Sequence, residues 1–188
     1  NKKEIIKNSK KKIKIKFFKK NDFKIISVAR FSDQKDHFCL IKSINLLKNK
    51  YKNIKVLLIG SGKKKEEIEN MIDRLKLNNY FKILDFKKNP YPYIKKSDIF
   101  ILSTKFEGLP NVLLEAITLD KLVISSNCPT GPSEILDNGD GGLLFRVEDY
   151  KQLSKKIIFA IKNEKKCSKK ILFAKKRLER FNFSKNLL

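Results

Sequence analysis

The 188 residues, 41% of them hydrophobic and 14 of them Phe, supply enough apolar surface for one domain with a sizeable core. No apolar run reaches the roughly 18 residues of a membrane-crossing helix, the charged residues 1–20 carry no apolar leader, and Cys39, Cys128 and Cys167 lack disulfide, zinc or redox spacing, so a reducing cytoplasmic setting without a bound metal is expected. The net charge of +24 gathers at the ends, +8 over residues 1–22 and +11 over 151–188 against +5 over 23–150, and it lacks the interleaved aromatics or motif of a specific nucleic-acid reader.

Residues 1–22 are read as a basic lead-in. Ten lysines surround Ile5-Ile6 and Phe17-Phe18 without a sustained period. The Lys-Ile-Lys-Ile-Lys alternation at 12–16 would suit an edge strand, but a solvated linker is the expected state. Compositional bias is the first explanation of the individual lysines. An anionic membrane surface beside Phe17, Phe18, Phe181 and Phe183 is the second, and nucleic acid the third.

From Phe23 onward the pattern changes to a domain over 23–188. FKIISVA reads as a buried strand, followed by the polar loop RFSDQKD and a helix in which Phe38, Ile41, Ile44 and Leu47 recur at helical spacing. IKVLLIG is a second buried strand. Gly60-Ser61-Gly62 then turns into a helix with Ile68, Ile72 and Leu75 on one face. A third strand, FKILDF, leads to a loop over 87–97 that contains Asn89, Tyr91 and Tyr93. The stretch 98–127 repeats the theme: strand Ile99–Leu102, a polar loop, a helix opened by Pro110 and Asn111, and strand Leu122–Ser125. A loop with Thr130, Gly131 and Glu134 precedes a short strand at Gly142–Phe145, and two amphipathic helices near 149–163 and 168–181 end the chain. Unalternated Val, Ile and Leu runs imply strands covered on both faces. The expected fold is therefore α/β, a single Rossmann-like, doubly wound parallel sheet of about six strands, with ligands at the carboxyl ends of the strands.

The candidate chemistry falls in those loops. Arg30 and Lys35, five positions apart after the first strand, offer a planar fork and a mobile point charge to a diphosphate; taken alone they read first as two exposed cations of a very basic chain. Gly60-Ser61-Gly62 is neither a Walker A loop nor a full dinucleotide fingerprint, so a tight turn and direct ligand contact both stand. Glu107 and Glu115, eight positions apart around a turn with free backbone N–H groups, could hold the hydroxyls and phosphates of one ligand, such as a sugar nucleotide. His37, the single histidine, is expected to be solvated rather than a base.

The string EGLPNVLLEA at 107–116 resembles the E-x7-E donor signature of the retaining GT-B glycosyltransferases, the "glycosyl transferases group 1" family (family 4-like), commonly written EGFPNVLLEA. Arg30 and Lys35 are similar to its Arg-x4-Lys pair, although Ala29 and Asp36 stand where relatives carry Gly. The run CPTGPSEILDNGDGGLLF at 128–145 is a further match. Across residues 23–183 the resemblance implies the C-terminal, donor-binding half of a GT-B enzyme. It implies that Arg30 and Lys35 hold the departing diphosphate, that Glu107 contacts the sugar hydroxyls, and that Glu115 accepts from the ribose. Gly108, Leu109, Pro110, Asn111 and Val112 would line sugar and phosphate. Gly60, Ser61, Gly62, Thr130 and Gly131 would approach the donor, and Glu134 would support the phosphate loop or cap the helix that follows. Loop 87–97 would wrap the base.

The implied donor is a nucleotide sugar, UDP-linked, with no cofactor or metal. The implied acceptor is a cell-envelope polysaccharide or lipid-linked glycan, reached at the inner face of the membrane. The expected partner is an N-terminal acceptor domain or a partner chain, because these residues contain no second Rossmann-like unit. The alternative is a basic nucleic-acid-binding or partner-binding α/β module without activity.

Overall fold

The computed structural model of the chain describes residues 2–181; residues 182–188 of the expected domain, Phe183 among them, lie outside. The first half of the chain runs α1 (Lys2–Ser9), β1 (Phe23–Val28), α2 (His37–Leu47), β2 (Ile54–Gly60), α3 (Lys65–Arg74), β3 (Phe81–Asp85) and α4 (Tyr91–Lys95). The second half runs β4 (Ile99–Leu102), α5 (Asn111–Thr118), β5 (Leu122–Ser126), α6 (Pro132–Ile135), β6 (Leu143–Phe145), α7 (Tyr150–Lys162) and α8 (Glu164–Arg177). The six strands pair in the order β3-β2-β1-β4-β5-β6, parallel at every junction. This is the expected α/β, doubly wound sheet. Its order reverses between β1 and β4, and the reversal opens a crevice at their carboxyl ends.

Successive residues of each strand point to opposite faces, and both faces are covered. Ile25, Val56, Leu58, Ile101 and Ile124 pack against Leu40, Ile44, Ile68, Leu153 and Ile157 of α2, α3 and α7. Ile26, Leu57, Ile59, Phe100 and Val123 pack against Ile94, Leu113, Ile117, Ile135 and Ala174 of α4, α5, α6 and α8. Each fully buried Ile or Leu contributes about 1.5–3 kcal/mol through removal from water. That is why apolar residues run through these strands without polar alternation.

Three expectations need correction. Residues 2–18 are not a solvated linker, nor does 12–16 form a strand: α1 packs on α4 and α5, and Ile5, Ile15 and Phe18 join the second apolar cluster. Loop 87–97 contains α4, whose Pro90 and Pro92 stand at the N-cap and in the first turn, where a missing N–H costs nothing. The final helix begins at Glu164 rather than near 168 and ends at Arg177.

Candidate functional site

Hydrophobic burial of β1 and β2 delivers their carboxyl ends side by side, and backbone pairing continues beyond them. Phe31 N–H donates to the Ser61 carbonyl (2.9 Å) and Lys64 N–H to the Phe31 carbonyl (3.1 Å). A Cβ at Gly60 would lie 2.0 Å from the Ala29 carbonyl oxygen, so this glycine is required by the approach of two loops. Ser61 and Gly62 are exposed beside it. Arg30, Ser61, Phe86 and Lys87 line a cleft of about 320 Å³ whose floor includes Ala29 and Ile59. Phe86, at the end of β3, is 68% exposed. The sequence pattern hid Phe86 and Lys87, because an aromatic that closes a strand pattern reads as core.

Across the reversal point, Lys35 Nζ forms an ion pair with Glu107 Oε1, joining residues 72 positions apart, and both side chains are largely shielded from solvent. Four further contacts fix the two loops. Lys105 N–H donates to the Gln34 carbonyl (2.7 Å), Gln34 Nε2 to the Phe106 carbonyl (2.8 Å), Thr104 Oγ1 to the Phe106 carbonyl (3.0 Å), and Ser103 Oγ to the Asp36 carbonyl (2.8 Å). Asp36 adopts φ 40°, ψ 55°, the left-handed conformation that favours glycine, and its Oδ1 accepts from Cys39 N–H at the start of α2.

The loop after β5 closes the site. Thr130 Oγ1 donates to the Glu107 carbonyl. Gly131 has φ 85°, and a Cβ there would sit 1.9 Å from the Gly108 carbonyl oxygen. Gly108 and Asn111 are exposed, Leu109 and Val112 half-buried, and Pro110 is the N-cap of α5. Leu113 N–H donates to the Pro110 carbonyl (2.9 Å), and among the described residues the Asn111 and Val112 N–H groups at the start of α5, four and five positions after Glu107, are left for a ligand. Glu134 lies within α6 rather than before a helix; its side chain is exposed and its carbonyl accepts from Arg180 Nη2 (2.5 Å).

Glu115, on α5, is half-buried and accepts a hydrogen bond from the Tyr91 hydroxyl at 3.2 Å. Burial raises its pKa above the usual carboxylate range and the Tyr91 hydrogen bond lowers it in part. Burial, with Glu115 beside it, pushes the Tyr91 phenol up to about 12. The Asn89 side chain faces inward: Nδ2 donates to the Asn8 carbonyl (3.1 Å) and Oδ1 accepts from Tyr91 N–H (3.3 Å). Tyr93 packs on the second apolar cluster.

His37 differs from expectation. It is 2% exposed and stacks edge-on against Phe31, ring centroids 5.1 Å apart. Burial, with Lys35 nearby, pushes its pKa down to about 4. Neither ring nitrogen has a hydrogen-bond partner among the described residues. Its neighbour Phe38 carries the visible helical period, which left His37 looking like the polar start of α2.

The structure thus gathers Lys35, Glu107, Thr130 and Gly131 at one point, sets Arg30 with Ser61 and Phe86 in the adjoining cleft, and couples Glu115 to Tyr91. The sequence model of the family described as Glycosyl transferases group 1 matches residues 8–177. Over 117 residues, 62% of this chain and 29% of the relative, the sequence is 39% identical to an uncharacterised glycosyltransferase of Methanocaldococcus jannaschii. It is 32% identical over 125 residues, 66% of this chain and 33% of the relative, to the Campylobacter jejuni N-acetylgalactosamine-N,N'-diacetylbacillosaminyl-diphospho-undecaprenol 4-alpha-N-acetylgalactosaminyltransferase. Among solved structures, HepE of Anabaena in complex with UDP superposes with a TM-score of 0.78 at 21% identity, over 85% of this chain and 44% of that one. The chain spans about a third of the length of these curated relatives.

Proposed function

Since the chain belongs to the glycosyl transferases group 1 family, we propose that it is the donor-binding half of a retaining glycosyltransferase that uses a UDP-linked sugar. The observation that carries this reading is the meeting of Lys35 and Glu107 across the reversal of strand order, beside the open N-terminus of α5. One cation, one carboxylate and unpaired N–H groups in one place suit a ligand with both hydroxyls and phosphates.

In this reading the uracil lies in the cleft of Ala29, Ile59 and Phe86, and Glu115 accepts from the ribose hydroxyls. Arg30 and Lys35 bind the diphosphate. Lys35 leaves Glu107 as it does so, and Glu107 turns to the sugar hydroxyls. Gly108, Leu109, Asn111 and Val112 offer N–H groups to sugar and phosphate, with Thr130 and Gly131 behind them. The bond between the anomeric carbon and the diphosphate oxygen breaks, a bond to the acceptor oxygen forms, and the acceptor hydroxyl passes its proton to the departing diphosphate. Charge builds on the departing diphosphate, so Arg30, Lys35 and the α5 N–H groups stabilise the transition state more than the ground state. No cofactor is assigned a role.

The group transferred in this reading is a hexosyl group and the acceptor a cell-envelope polysaccharide or lipid-linked glycan, the latter supported by the diphospho-undecaprenol in the name of the Campylobacter relative. A further domain or partner chain would supply the opposite wall of the cleft, and the basic helices would adsorb to an anionic membrane. Titration calorimetry with UDP tests the donor assignment. Arg30→Ala and Glu115→Ala are each expected to weaken binding at least about tenfold, the cost of a charge-assisted hydrogen bond of roughly 1.5–3 kcal/mol. Unchanged affinity in both would sink it.

A further inference from the structure

We propose that Tyr91 is the positioning residue for Glu115, and that the strap formed by residues 2–18 holds Tyr91 in place through Asn89. This rests on the reading that Glu115 accepts from a ribose.

A carboxylate on a half-buried helix face has rotamer freedom to lose and hydration it has already lost. Among the described residues Glu115 meets both problems through one hydrogen bond, from the Tyr91 hydroxyl to Oε1 at 3.2 Å. That bond favours the ionised carboxylate and fixes its orientation, while Oε2 remains available to a ligand hydroxyl. Tyr91 can only donate in this pairing, because a phenol beside a carboxylate keeps its proton.

Tyr91 is itself immobilised from the strap side. Its N–H is bonded to Asn89 Oδ1, and Asn89 Nδ2 reaches across 81 positions of sequence to the Asn8 carbonyl at the end of α1. Lys96 Nζ, just past α4, donates to the Ile13 carbonyl. Ile5, Ile15, Phe18 and the Tyr91 ring all pack on the same apolar cluster. The strap packs on α5 as well as on α4, and its hydrogen-bonded route to the carboxylate runs through Asn89 and Tyr91. It fixes the start of α4, and α4 aims one hydroxyl at Glu115.

A purely structural Tyr91 would affect every ligand alike, whereas a positioning Tyr91 affects only ligands with ribose hydroxyls. The chain is titrated with UDP and with 2′,3′-dideoxyuridine diphosphate. Tyr91→Phe keeps the ring in the cluster and deletes the donor. It is expected to weaken UDP about three- to tenfold, to leave the dideoxy analogue unchanged, and to add no further loss in a Glu115→Ala background. Asn89→Ala, which frees the start of α4, is expected to give a smaller loss with the same selectivity. Unchanged UDP affinity in Tyr91→Phe while Glu115→Ala still discriminates the two nucleotides would overturn the positioning role and leave the ribose reading intact. Equal weakening of both nucleotides by Tyr91→Phe would make Tyr91 structural and overturn it too. An Asn89→Ala variant indistinguishable from the parent would overturn the role of the strap. If Glu115→Ala itself fails to discriminate, the ribose reading falls and the proposal falls with it.

Discussion

Burial decides how His37 behaves, and it gives the residue-scale prediction. A histidine with its pKa pushed down to about 4 stays neutral in the folded chain while the unfolded chain takes up a proton near 6.5. Its contribution to stability is therefore complete above about pH 6.5 and is lost as the pH falls toward 4, by up to about 3 kcal/mol across that window. His37→Leu removes the titration together with two nitrogens that have no hydrogen-bond partner among the described residues. Chemical denaturation is expected to find the variant clearly more stable than the parent at pH 4.5, with the difference narrowing above pH 7. A constant difference at both pH values would contradict this account. The placement was not legible in the sequence, because one polar residue at the head of a helix reads the same whether it faces water or a Phe31 ring arriving from the preceding loop. Glu107 and Glu115 stood out in the sequence through the whole EGLPNVLLEA string, since their spacing alone is that of two ordinary surface carboxylates. That they divide their attention between Lys35 and Tyr91 was not legible, since neither partner is near in sequence.

At the scale of elements, the strands and the helices between them could be read from apolar runs and 3.6-residue spacing, because both sheet faces demand continuous Val, Ile and Leu. The lead-in could not. Its apolar residues Ile5, Ile15 and Phe18 are widely spaced among lysines, and they become a face only once α4 and α5 present the surface they cover. Helix α4 was concealed by Pro90 and Pro92, which punctuate a loop as readily as they open a helix. The docked strap makes a quantitative prediction. Phe18→Ser, at a half-buried position against the second cluster, is expected to lower the unfolding free energy by about 1–2 kcal/mol, shifting the urea midpoint with an unchanged slope. A solvated linker would show no shift.

At the scale of the whole molecule the question is what a surface with a net charge of +24 is for. Among the described residues no helix is long and apolar enough to cross a membrane, so any contact with lipid through these helices is peripheral. The sequence pointed to Phe17, Phe18, Phe181 and Phe183 as apolar anchors, the last of which lies outside the described residues. The fold withdraws Phe18 and Phe181 into the second apolar cluster and pairs Phe17 with Phe18, ring centroids 5.8 Å apart. It offers Leu172 and Phe173 instead, exposed on α8 at helical spacing from Lys165, Lys169 and Lys176, with Cys167 and Ala174 buried beneath. A basic helix with two outward apolar residues suits adsorption to an anionic interface. Each lysine at such a surface contributes about 1 kcal/mol, so replacing all three by Gln is expected to weaken vesicle binding on the order of a hundredfold at low salt. Deleting the lead-in would be a poor control, because it uncovers the apolar faces of α4 and α5. Charge reversal at the exposed Lys10, Lys11 and Lys12 changes the field without uncovering them. Co-sedimentation with vesicles of graded anionic-lipid content, at low and at physiological salt, compares these variants with Leu172→Ser and Phe173→Ser. Binding that rises with anionic lipid, falls with salt and depends on α8 supports the peripheral reading. Binding that follows Lys10–Lys12 alone transfers the contact to the strap. No binding at any lipid composition leaves the charge as a compositional bias with no membrane role.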